Sequence, residues 1–125
     1  MSSGRGDLFE LGRRTRTLPA PPRIVWESLA DPHRPGSRPW LKLLDDEVEP
    51  AILESLQAKL VVWSSIWPQT PEQIIRFDID SDGGDGTALT WTLTSPREID
   101  RSAVGHRRYR LNSLIWAELR YSYGA

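Results

Sequence analysis

The residue types best suited to chemistry in this chain are a run of aspartates, two histidines and a string of arginines. Asp78, Asp80, Asp82 and Gly83 stand at the spacing that opens a calcium loop, where alternate carboxylates converge on one cation and a glycine permits the sharp turn. The twelfth position, which should supply a bidentate glutamate, is Leu89, and the residues before the loop alternate like a strand rather than a helix. A hairpin turn built from Asp82, Gly83, Gly84, Asp85 and Gly86 explains the same residues without a metal. Phosphate cradling by these glycines would need Lys and Ser/Thr in P-loop spacing ahead of a helix, and the sequence offers neither.

His33 and His106 are the only side chains that titrate near neutrality unperturbed. His33 stands in a proline-rich stretch and His106 in a basic segment, and neither has a ligand partner four residues on. The simplest assignment for both is solvated surface; a cyclase-like or hydrolase-like enzyme would use one of them as acid or base. With no cysteine, the chain has no thiol nucleophile, disulfide framework or cysteine-based metal centre. Nucleophile elbows, paired catalytic carboxylates and cofactor fingerprints are also missing from the sequence. These residues leave an enzyme unsupported rather than excluded, and they suggest no cofactor and no metal.

Arg107, Arg108 and Arg110, interleaved with Tyr109 and followed by Trp116, would suit an anionic ligand, RNA or an acidic partner. The distribution of charge offers a plainer role. The 16 basic and 17 acidic side chains give a net −1, yet residues 1–40 carry +3, residues 41–100 carry −8 and residues 101–125 carry +4. A basic tail folded across an acidic middle satisfies both inside one domain. The near-zero total argues against a field that recruits nucleic acid or anionic membranes. Arg5, Gly6 and Asp7 spell an adhesion tripeptide, which short segments match by chance.

Those residues need elements to position them. A chain of 125 residues can bury roughly two-thirds of its surface in one core. No apolar run is long enough to span a membrane, and Met1–Gly12 lacks the basic-then-apolar pattern of a secretion signal, which predicts a cytoplasmic protein. Residues 1–7 read as a disordered lead and 8–125 as a single domain. Leu8–Leu18 is extended in character, and Pro21 and Pro22 introduce a short helix with Ile24, Val25, Trp26 and Leu29 at helical spacing. Residues 31–40 have loop composition, and Trp40, Leu41, Leu43 and Leu44 suggest one further helical turn. Ala51–Leu56, Lys59–Trp67, Gln73–Asp80 and Thr87–Thr94 read as strands of an antiparallel meander. From Ser102 to about Tyr121, Val104, Leu111, Leu114, Ile115 and Leu119 mark one face of a long amphipathic helix that covers the sheet. The predicted class is α+β, with five to six strands gripping the C-terminal helix.

The segment Ala20–Pro32 (APPRIVWESLADP) after a strand resembles the first helix of the START-like superfamily, the SRPBCC or helix-grip fold. KLVVWSSIWP, IIRFDID and GGDGTALTWTLTSP are similar to its meander. The superfamily includes polyketide cyclases, birch-pollen-allergen-type proteins and chaperone ATPase activator homologues. The resemblance covers about Leu8–Tyr123, and it departs between Pro32 and Ile52, where the chain is too short for a full second helix and the usual extra hairpin strands. It implies binding of an apolar or aromatic small molecule, a lipid or polyketide-like compound, between sheet and helix. Phe77, Leu89, Trp91 and Leu93 on the strands and Leu111, Leu114 and Ile115 on the helix would line that pocket, or fill it as core. The alternative is a module that holds a protein partner or a second copy of itself through the arginine helix or an exposed Trp63 or Trp67.

Overall fold

Alternation of side chains builds the sheet. The computed structural model describes residues 8–36 and 38–124, so the expected N-terminal lead, Arg5–Asp7 included, lies outside the described residues. In β4 (Ile74–Ser81), Ile75, Phe77 and Ile79 are buried while Arg76 and Asp80 face solvent. In β5 (Thr87–Ser95), Leu89, Trp91 and Leu93 are buried, and antiparallel pairing sets Ile75 opposite Leu93, Phe77 opposite Trp91 and Ile79 opposite Leu89. β3 (Leu60–Ser64) pairs with β4, β2 (Ile52–Leu56) with β3, and β1 (Phe9–Leu18) with β5. The result is a five-stranded antiparallel sheet in the order β1-β5-β4-β3-β2, with β1 and β2 as its edges.

The turn between β4 and β5 is the hairpin expected from its residues. Asp82 Oδ1 accepts from the backbone N–H of Gly84 at 2.8 Å and of Gly86 at 3.2 Å, which uses the carboxylate to hold the turn. A Cβ at Gly86 would lie 2.6 Å from the Leu18 carbonyl oxygen, so only glycine lets this turn pass the end of β1. β3 ends three residues earlier than the apolar run Lys59–Trp67 predicts. Ser65 Oγ accepts from the Trp67 N–H at 3.0 Å and donates to the Trp67 carbonyl at 3.2 Å, and this local turn takes the chain off the ladder.

α1 (Pro22–Ala30) begins on the proline expected there and buries Val25, Ser28 and Leu29. The Trp63 indole donates to the Leu29 carbonyl at 2.9 Å and fastens the end of α1 over β3. The helical turn expected at Trp40–Leu44 does not form. Trp40 instead enters the core as a long side chain on an irregular segment, stacked on Trp63 at 6.0 Å, and Trp63 meets Phe77 edge-on at 4.7 Å. Trp63 and Trp67 are both buried, which corrects the expectation that one of them is available at an interface.

The C-terminal helix starts at an Asp100 cap, whose carboxylate accepts from the Ser102 N–H. It runs through α2 (Arg101–Asn112), a π-helical stretch Ser113–Leu119, and a last turn α3 (Arg120–Ser122), rather than as the uninterrupted α-helix expected. Leu111, Leu114, Ile115 and Leu119 are fully buried against the sheet. The basic tail does meet the acidic middle. Arg110 donates from Nε and Nη2 to the two Glu47 oxygens at 2.8 and 2.7 Å, and Nη2 also reaches the Lys42 carbonyl at 3.1 Å. Arg107 donates to Thr70 Oγ1 at 3.0 Å with its guanidinium 5.0 Å from the Trp67 ring centre. Arg107 and Arg110 are therefore internal struts, not the solvated face that their helical positions predict. Among the described residues no helix is long and apolar enough to cross a membrane.

Candidate functional site

All seven residues expected to line or fill the interior are brought together. Phe77, Leu89, Trp91, Leu93, Leu111, Leu114 and Ile115 belong to one core cluster, each at most 1% exposed. None of them lines any of four surface clefts of 200–370 Å³. Their side chains occupy the space between sheet and helix, with Trp40 and Trp63 closing the end beneath α1.

Polar chemistry gathers at the rim of that interior, along the seam between β1 and the C-terminal helix. Gly12, Arg14 and Arg16 pair with Leu93, Trp91 and Leu89 and so share the helix-facing side of the sheet. A Cβ at Gly12 would sit 2.9 Å from Arg108 Cγ, so glycine here lets the Arg108 stem lie on β1. On the helix, Arg108, Asn112, Trp116 and Arg120 follow at four-residue intervals and form the stripe opposite. Between the two rows lies a cleft of about 280 Å³ lined by Arg16, Thr17, Trp116 and Arg120.

Asn112 couples this cleft to the core. Its Oδ1 accepts from the Trp116 indole at 2.9 Å and from the Trp91 indole at 3.2 Å, so the half-buried ring and the buried ring share one acceptor. Trp116 lies within the π-helical stretch and Arg120 directly follows it. Departures of this kind from α-helical pitch recur at functional sites. The seam was not singled out from the sequence, although its signal is there as Arg-x3-Asn-x3-Trp-x3-Arg on a helix and Arg-x-Arg on a strand.

The remaining candidates are placed elsewhere. His33 is exposed and pairs with Glu49 across the loop, while His106 is exposed on α2, so the two histidines do not share a site with the seam. Asp78 is engaged by Arg76 on the outer sheet face, away from the helix. Glu47 is held below its ordinary pKa of 4.5: burial pushes it up, and the Arg110 hydrogen bonds and charge together with the Leu44 N–H more than offset this.

No protein-family model matches the chain, and no curated protein is similar to it in sequence. Solved structures do share its architecture. The Mll3558 protein from Rhizobium loti is 18% identical with a TM-score of 0.56, over 92% of this chain and 98% of that one. An AHSA1-like protein from Rhizobium etli is 20% identical with a TM-score of 0.55, over 86% and 78%. CalU16 from Micromonospora echinospora is 20% identical with a TM-score of 0.51, over 68% of this chain, which spans only 58% of CalU16. Identities this low speak to fold alone: the chain shares with these proteins the architecture of an antiparallel sheet gripping a C-terminal helix, as the resemblance noted in the sequence implies.

Proposed function

We propose that this domain binds a small aromatic molecule between its sheet and its C-terminal helix, without covalent catalysis. One observation carries the reading: the cleft at the β1–helix seam is bounded by the sheet on one side and the helix on the other, with Trp116 as an aromatic residue in its lining. Its volume of about 280 Å³ lies near the lower limit of small-molecule sites, so the ligand is compact. The apolar interior contributes a rigid floor rather than the binding space, since its seven expected lining residues pack against one another. Titrating the intrinsic fluorescence of the full chain and of Trp116→Phe with a panel of aromatic, polyketide-like and lipid compounds tests this. A saturable change that disappears in Trp116→Phe is expected. No response to any compound, or a response unchanged in the variant, overturns the seam as the binding place.

A second reading, protein interaction, is favoured by a different observation. Leu44, Val48, Ile52, Leu53 and Leu56 are exposed along one stretch that ends in the outer edge of β2, which pairs with no other strand among the described residues. Asp45, Asp46 and Glu54 are exposed beside them, and a self-paired edge centred on Glu54 would set like charges opposite each other. The partner that fits is an extended, positively charged segment of another protein adding a strand to β2. Binding of an alternating Lys/Val peptide that is lost in Glu54→Lys supports it, and edge-to-edge dimerisation of the wild-type chain in sedimentation overturns it.

A further inference from the structure

We propose that the seam cleft is an anion site and that the aromatic molecule it takes carries a carboxylate. This rests on the reading of the seam as the binding place and adds the chemical class of the ligand.

Most guanidinium groups of the described residues are engaged within the fold. Arg13, Arg23, Arg76, Arg97 and Arg110 are each paired with a carboxylate. Arg107 is held by Thr70 and the Trp67 ring, and Arg38 by the Tyr121 carbonyl and ring. The guanidinium groups of Arg14, Arg16, Arg101, Arg108 and Arg120, by contrast, have no hydrogen bond or ion pair to any other described residue. Arg101 stands apart at the start of α2, and the other four are not scattered. Arg14 and Arg16 share the helix-facing side of β1, and Arg108 and Arg120 stand on the helix stripe opposite, so the seam is bordered by unpaired positive charge from both sides.

Among the described residues, the charged groups lining the cleft are Arg16 and Arg120, and Thr17 and Trp116 complete the lining. Guanidinium groups stay protonated in proteins, so two of them on one small cleft repel each other until an anion arrives. Planar guanidinium forks match a carboxylate bidentately. Trp116, its indole N–H already committed to Asn112, is the aromatic residue in the lining beside which the rest of such a ligand would sit. A planar aromatic acid satisfies both features, whereas a neutral apolar molecule would leave the two charges uncompensated. The half-buried acid on the same part of the helix, Glu118, is paired with Lys42 and does not compete.

Calorimetric titration of the full chain with 1-naphthoate, its uncharged isostere 1-naphthamide and inorganic phosphate tests the proposal, using wild type, Arg16→Gln and Arg120→Gln. Both arginines are exposed, and melting curves confirm that the variants stay folded. The expected result is naphthoate binding that each substitution weakens by about tenfold or more. Naphthamide should bind at least about tenfold more weakly than naphthoate and be indifferent to the substitutions. Added salt should weaken naphthoate binding and leave naphthamide unchanged. Equal affinity for naphthoate and naphthamide, with no effect of either substitution, overturns the anion site and leaves the aromatic binding reading standing. Phosphate binding as tightly as naphthoate, with the same arginine dependence, keeps the anion site and overturns the aromatic requirement. No binding of any of the three overturns both.

Discussion

Removing the carboxylate of Glu47 should unfasten the C-terminal helix from the loop that closes the core. The Glu47 side chain is 0% exposed and that of Arg110 9%, and they are joined by two hydrogen bonds of 2.8 and 2.7 Å. Breaking such a pair from one side costs far more than the pair itself is worth, because a desolvated guanidinium is left without a counter-charge, at about 3 kcal/mol. Glu47→Ala also orphans the Leu44 N–H, which donates to Oε1 at 2.9 Å, adding about 1 kcal/mol. For a domain of this size the sum lowers the melting temperature by roughly 10–15 °C. Glu47→Gln keeps an acceptor for Leu44 and should lose less. A double-mutant cycle with Arg110→Met should give a coupling of about 2 kcal/mol or more, and Glu47→Leu with Arg110→Met should recover most of the loss. The acid limb supplies an independent check. A carboxylate whose folded pKa lies below its ordinary 4.5 contributes stability that is complete above pH 4.5 and is lost as pH falls through the lower folded value. Wild type should therefore lose stability more steeply than Glu47→Gln below pH 4.5. A coupling energy under about 0.5 kcal/mol, the range of solvated surface pairs, together with identical acid limbs, would refute the burial argument.

Other expectations follow from the same contacts. Asn112→Leu should leave the Trp91 and Trp116 indole N–H groups without their acceptor, costing about 1–3 kcal/mol in denaturant melts and altering tryptophan emission; unchanged stability and emission would show that Asn112 is not their link. Gly86→Ala should cost about 1–3 kcal/mol because the new methyl meets the Leu18 carbonyl at 2.6 Å, more than an alanine in the open turn at Gly83, where only the backbone angle is unfavourable; equal melts would contradict the close approach. Tyr123 is pushed up to about 12 by burial, against the weaker opposing effect of its hydrogen bond to Ser28. Ultraviolet titration should show a late step near pH 12 that Tyr123→Phe removes. The raised value means that this tyrosine's contribution to stability is intact below pH 10 and is lost as pH rises through about 12.

Local pattern alone was enough to place most elements. The period-2 alternation of Ile75, Phe77 and Ile79 and of Leu89, Trp91 and Leu93 needs no partner to be read, because a strand must send successive side chains to opposite faces. The same holds for the aspartate and glycines of the β4–β5 turn, whose hydrogen bonds close within five residues. The sequence likewise marked the seven side chains that meet under the C-terminal helix, since apolar stripes on sheet and helix have only each other to cover them. What it left open depended on distant neighbours. Whether Arg110 is surface or strut is decided by Glu47, 63 residues away in the chain, and whether Trp40 is loop or core by the stack on Trp63. The switch from α to π pitch at Ser113, and the meeting of Arg16 with Trp116 and Arg120, likewise have no local signature strong enough to announce them. Periodicity records which face of an element is apolar; only the packed structure decides which polar groups on the other faces find partners, and which remain unpaired along the β1–helix seam.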